Sequence, residues 1–155
     1  MQDHGEIEAI KQLKYRYIRC LDLKRWDEMA ECLCDDVRSA YGDGKYSFQG
    51  REALLEFLRT SLGRDMITAH HVHQPEIELT SATAARGTWA LEDTVINPGQ
   101  GFTVRGAAFY EDEYEKVDGR WRIKSTGYRR LYEEFESRQE RPGLRLTANR
   151  WADIS

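Results

Sequence analysis

Apolar residues at Ile7, Ile10, Leu13, Tyr17, Cys20 and Leu21 recur at steps of three and four, which predicts a helix from about Glu6 to Leu21 with one buried face. A shorter stripe of the same period, Trp26, Met29, Ala30 and Leu33, follows it, and a third, Ala53, Leu54, Phe57, Leu58 and Leu62, follows Gly50. Between them Val37, Ser39 and Tyr41 precede Gly42-Asp43-Gly44-Lys45, and Tyr46-Ser47-Phe48 resumes an extended pattern, so two short strands around a glycine turn are expected. From about Ile67 the period changes to two. Turn signals at Pro75, Ser81, Pro98-Gly99-Gln100-Gly101 and Val117-Asp118-Gly119 divide the rest into long strands over 67–80, 83–96, 102–116 and 120–132. Helices followed by a meander of strands predict an α+β domain, with the N-terminal helices packed on one face of a curved antiparallel sheet. One domain is expected over residues 1–155. The stretch 133–155 reads as a C-terminal tail, rich in Glu and Arg at first and then carrying Leu144, Leu146 and Trp151, which suggest that its end docks.

Composition narrows the function classes. At 155 residues with 40% hydrophobic and 11% aromatic side chains, the chain can build a core and is not disordered. No apolar run approaches the roughly 20 residues of a membrane span. Lys plus Arg number 23 against 27 Asp plus Glu, a net charge of −4, so nucleic acid is not an expected partner. Cys20, Cys32 and Cys34 are odd in number and crowded together, which is no disulfide framework and suits a reducing compartment. The opening Met1-Gln2-Asp3-His4-Gly5-Glu6 carries no signal of export, and the cytoplasm is the expected location.

Candidate chemistry comes from parity. In the strand around Trp89, one side collects Ala85, Gly87, Trp89, Leu91 and Val95, and the other collects Arg86, Thr88, Glu92 and Thr94. Asp93 shares the packed side, where a carboxylate must be paired or hydrogen-bonded; it is either a pocket residue or a strand-end Asp bonding a backbone amide. A histidine is a natural partner, because one ring nitrogen can donate while the other accepts a proton near neutral pH. His70 falls on one face of the preceding strand, His71 and His73 on the other, and parity alone does not choose between the sets. Metal is not expected, since no Cys or carboxylate stands at a comparable ligand spacing to His71 and His73. Tyr17 lies on the buried stripe and Asp22 where its helix stops. They can be a phenol and its carboxylate at an enolate site, or a core tyrosine and a cap for the helix near Trp26. Tyr110, Asp112 and Tyr114 share an inward side, where packing is the simpler role. Arg130 can bind an acidic group only if a bulge breaks its parity with Arg122 and Lys124.

The residues also carry a resemblance. Tyr17 with Asp22, Lys24-Arg25-Trp26-Asp27, His70 and His73-Gln74-Pro75-Glu76-Ile77, Trp89 with Leu91-Glu92-Asp93, Gly106-Ala107-Ala108-Phe109-Tyr110, and Asp118-Gly119-Arg120-Trp121-Arg122-Ile123-Lys124 with Thr126-Gly127-Tyr128 occur in an order similar to the SnoaL-like group of the nuclear-transport-factor-2-like superfamily. Within it the bile acid 7α-dehydratases look closest. The resemblance covers about Glu6 to Glu134 and implies a cone-shaped α+β barrel, its helices against the concave face of the sheet and an apolar pocket inside. It implies Tyr17, Asp22, His70 and Asp93 as the catalytic set, with Asp93 orienting the His70 ring and Asp22 assisting Tyr17. Tyr41, Trp89, Tyr110 and Arg130 are the expected substrate-binding residues. The implied activity is that of a cofactor-independent lyase or isomerase, a dehydratase acting by acid–base chemistry on a small hydrophobic cyclic substrate, a steroid-like or polycyclic ketone. The same cone also serves non-catalytic ligand-binding proteins and the structural small subunits of ring-hydroxylating oxygenases, which is the alternative. A homo-oligomer, dimer or trimer, is expected. Val72 stands where the dehydratases have glycine, so the pocket mouth is expected to differ.

Overall fold

The computed structural model describes residues 3–152. Helix α1 spans His4–Leu23; the Asp3 side chain opens it by accepting from the amides of Gly5 and Glu6. It closes at Lys24, which takes the left-handed conformation with φ 55°. The stripe buries Ile10, Leu13, Tyr17, Ile18, Cys20 and Leu21, together with a charged residue the pattern did not single out, Lys14. Two further helices, α2 at Trp26–Ala30 and α3 at Arg51–Ser61, complete the helical layer. Among the described residues, no helix is long and apolar enough to cross a membrane.

Six strands form one curved sheet: β1 Leu33–Tyr41, β2 Tyr46–Gln49, β3 Ile67–Leu79, β4 Ala84–Asn97, β5 Phe102–Val117 and β6 Arg120–Ser137, in the order β2-β1-β6-β5-β4-β3. The long strands follow the predicted alternation closely. Two differences matter. β1 pairs in parallel with β6, so the sheet is not wholly antiparallel; Gly127 allows this approach, because a Cβ there would run into the Ala40 carbonyl. β6 also continues to Ser137, so 133–137, expected in the tail, are strand instead, held by β5 through pairs such as Gly106 with Glu133.

Two bulges on β6 decide which of its side chains face inward. Ile123 pairs with Tyr114 and Ser125 with Glu113, leaving Lys124 as the extra residue; Arg130 pairs with Ala108 and Tyr132 with Ala107, leaving Leu131 as the second. Before the first bulge Trp121 and Ile123 are buried, and after it the buried parity passes to Thr126. Tyr128 and Arg130 share that parity, so Arg130 leaves the side of Arg122 and Lys124.

Candidate active site

Asp22 sits in the last turn of α1 and reaches β3. Its carboxylate accepts from the His70 backbone amide at 2.7 Å and from the Thr68 hydroxyl at 2.9 Å, and it lies 2.7 Å from His70 Nδ1. A carboxylate can only accept, so this bond assigns the proton to Nδ1 and leaves Nε2 as the basic nitrogen. The His70 side chain is 10% exposed, and the more open Asp22 side chain 21%. Asp22 therefore does not cap α2, whose N-cap Arg25 makes no side-chain bond.

This geometry corrects the expected pairing. Asp93 faces inward, directly opposite His70 in the β3–β4 register, but its carboxylate is taken by both terminal nitrogens of Arg130, with Nη2 at 3.0 Å. The guanidinium lies against Gly106, where a Cβ would run into Nη1. The first β6 bulge turns Arg130 inward, and a bidentate guanidinium satisfies a buried carboxylate better than one imidazole N–H can. Burial works against the Arg130 charge, but its bonds to Asp93 hold its pKa above the ordinary arginine range.

Nor is Asp22 the partner of Tyr17. The Tyr17 hydroxyl is 2.6 Å from that of Tyr41, at the end of β1. Burial first, then the neighbouring Tyr41 and Tyr110, push the Tyr17 hydroxyl well above its ordinary range, and burial raises Tyr41 likewise. Both phenols are neutral. One proton joins the pair, and the other is free to be donated to a ligand oxygen.

Tyr17, Tyr41, His70, Asp93, Tyr110 and Arg130 line one cavity of about 360 Å³, whose remaining wall is largely apolar, with Leu21, Phe57, Leu58, Val95, Phe102 and Val104. Tyr128 and Glu133 line it too; neither was anticipated, though Tyr128 follows from Arg130 by parity once the bulge is placed. Trp89 does not line it, which corrects the expectation that it binds substrate. Parity gives the face but not the depth. Trp89 lies four residues before Asp93, about 13 Å along the strand at ~3.3 Å per residue. It is core, donating to the Tyr114 hydroxyl at 2.9 Å and packing edge-to-face with Tyr15.

Behind the cavity floor, the buried Lys14 ammonium is 2.7 Å from Asp112 and lies over the Tyr110 ring at 3.5 Å. Burial lowers the Lys14 pKa, and the Asp112 charge opposes that shift. Asp112 also accepts from Tyr114 at 2.8 Å and Thr126 at 2.7 Å. A lysine four residues after Ile10 and three before Tyr17, on the apolar stripe, was the signal in the sequence for this pair.

His71 and His73 point outward, and His73 Nε2 is 3.1 Å from Glu92. Among the described residues, Cys34, Asp36 and Glu115 bring three possible metal-ligand atoms together, but the Lys124 ammonium already sits 2.6 Å from Asp36 and 3.2 Å from Glu115.

The fold has counterparts among solved structures. A protein provisionally described as a scytalone dehydratase from Novosphingobium aromaticivorans is 23% identical over 84% of this chain and 87% of its own, with a TM-score of 0.77. Hexachlorocyclohexane dehydrochlorinase LinA-type3 from Novosphingobium barchaimii is 19% identical over 93% and 95%, also at 0.77. A protein provisionally described as an aromatic ring hydroxylase, again from N. aromaticivorans, is 16% identical over 88% and 96%, at 0.79. At such identities the likeness is one of fold. The sequence itself matches the SnoaL-like domain pattern over residues 4–127, which takes in α1 and most of the sheet, and the chain therefore belongs to the SnoaL-like domain family.

Proposed function

We propose that the protein is a cofactor-independent lyase or isomerase, a dehydratase acting by acid–base chemistry on a cyclic ketone, steroid-like or otherwise polycyclic, in the manner suggested by its resemblance to the bile acid 7α-dehydratases. One observation carries this reading: an imidazole held by a carboxylate shares a mostly apolar cavity with a phenol pair. His70 Nε2 takes a proton from a carbon made acidic by conjugation to the ketone. Asp22 stabilises the imidazolium that results, and the free phenol proton of the Tyr17–Tyr41 pair is donated to the carbonyl oxygen as it gains enolate charge. As the enolate collapses, the phenol takes its proton back from the oxygen and the hydroxyl group is expelled, receiving the proton held by His70. The products are water and an alkene conjugated to the ketone. Asp93 and Arg130 serve as a fixed ion pair in the wall beside the base.

The test is incubation with hydroxylated cyclic ketones, from bicyclic compounds to 4-en-3-one steroids, followed by absorbance of the extended conjugation. Turnover by the wild type that falls by about 10²–10⁴-fold in His70→Ala is expected. Turnover untouched by that substitution, or capture of a ketone without conversion, would overturn the reading, the latter in favour of a ligand-binding protein.

A further inference from the structure

The wall that carries Arg130 also carries a carboxylate the mechanism above leaves unused. Beyond the second bulge, β6 brings Glu133 into register with Gly106, and Gly106 with Asp93, so that His70, Asp93, Gly106 and Glu133 lie in one row across four strands. Glu133 lines the cavity, its side chain is 56% exposed, and Oε2 lies 3.1 Å from Arg130 Nε.

The charges at this end of the cavity do not balance. Three carboxylates stand here, Asp22, Asp93 and Glu133, against two cations, the Arg130 guanidinium and the Lys24 ammonium, which the Asp22 charge supports. The outer edge adds Asp43, which accepts from the Arg130 amide at 3.1 Å, whereas the Lys14 charge is matched by Asp112. The buried Arg130 Nε makes no hydrogen bond, and Glu133 is the acid beside it. Both terminal nitrogens bond Asp93 and the Nε side faces Glu133, so a ligand carboxylate would meet Glu133 without a bidentate partner in exchange. This corrects the expectation that Arg130 receives an acidic substrate group.

We propose that Glu133 is a charge-selecting residue, through which this cavity admits uncharged cyclic ketones and rejects those bearing a carboxylate. The inference rests on the ligand-binding cavity of the reading above and names the charge class of its substrate.

Binding, not turnover, tests it. 2-Tetralone, with about 11 non-hydrogen atoms, suits a cavity of about 360 Å³, the volume of about 12 liquid waters at ~30 Å³ each. Its ring-carboxylated analogue is the matched anion. Calorimetric titration of the full chain at low salt is expected to show the neutral ketone bound about tenfold more tightly or better. Glu133→Gln should narrow the gap by about tenfold, and added salt should narrow it in the wild type. Equal affinity for the two ligands, a gap unchanged in Glu133→Gln, or no binding of either would overturn the proposal. Intact selectivity with no ketone converted by the wild type would instead sink the lyase reading and leave charge selection standing.

Discussion

Asp22 and Asp93 are both carboxylates brought to the inner side of the fold, and their partners divide their work. Asp93 is neutralised by Arg130, while Asp22 is left to the imidazole, the Thr68 hydroxyl and one backbone amide. In Asp22→Asn an amide N–H can oppose Nδ1, favouring the tautomer in which Nε2 holds the proton and cannot act as a base. Activity on any ketone turned over is expected to fall by about 10²–10⁴-fold, read as kcat with KM little changed. The inward side of Asp93 was legible because alternation in a half-buried strand is strict. Its partner was not, because Arg130 turns inward only by way of an extra residue at Lys124, and no pattern along β6 announced that bulge.

Helix α1 is tied to the sheet by a charged group near each end as well as by its stripe: Asp22 holds β3, and Glu6 holds the end of the β5–β6 hairpin. Glu6 accepts from Lys116 at 2.5 Å and from the Trp121 indole, and these bonds, that from Lys116 foremost, keep its pKa below the ordinary 4.5. A carboxyl with a lowered folded pKa binds fewer protons in the native state than in the unfolded chain over the window between the two values. Its contribution is therefore present above 4.5 and is lost as pH falls through the folded value. Glu6→Gln should flatten the acid limb of the stability curve relative to wild type, measured as urea midpoints between about pH 6 and pH 3. The helix itself and its end within two residues were readable from apolar spacing. The anchors were not, since they join residues from 48 to 115 positions apart.

The whole molecule is a helical layer pressed on a single sheet, and between the layers lies an ion pair with both side chains 0% exposed, Lys14 and Asp112. Removing one partner of such a pair leaves the other charge buried and unmatched, a loss of about 3–5 kcal/mol. Against a total of about 5–15 kcal/mol for a folded domain, Lys14→Met should markedly lower the urea midpoint. Adding Asp112→Asn, which removes the stranded charge, should recover part of that loss; a double variant no better than the single would contradict this account.

By itself the sequence determined the order and type of the elements, the α+β class and the inward side of β4 and β5, because these follow from periods of three to four and of two that any stretch of chain carries locally. It also placed Tyr17, Tyr41, His70, Asp93, Tyr110 and Arg130 among the residues that the cavity gathers. Only the tertiary structure decided who pairs with whom: Asp22 with His70, Arg130 with Asp93, Tyr41 with Tyr17, and Trp89 with the core instead of the cavity. Those choices depend on register, on two bulges and on depth along a curved sheet, which are properties of strands already assembled and not of any one of them.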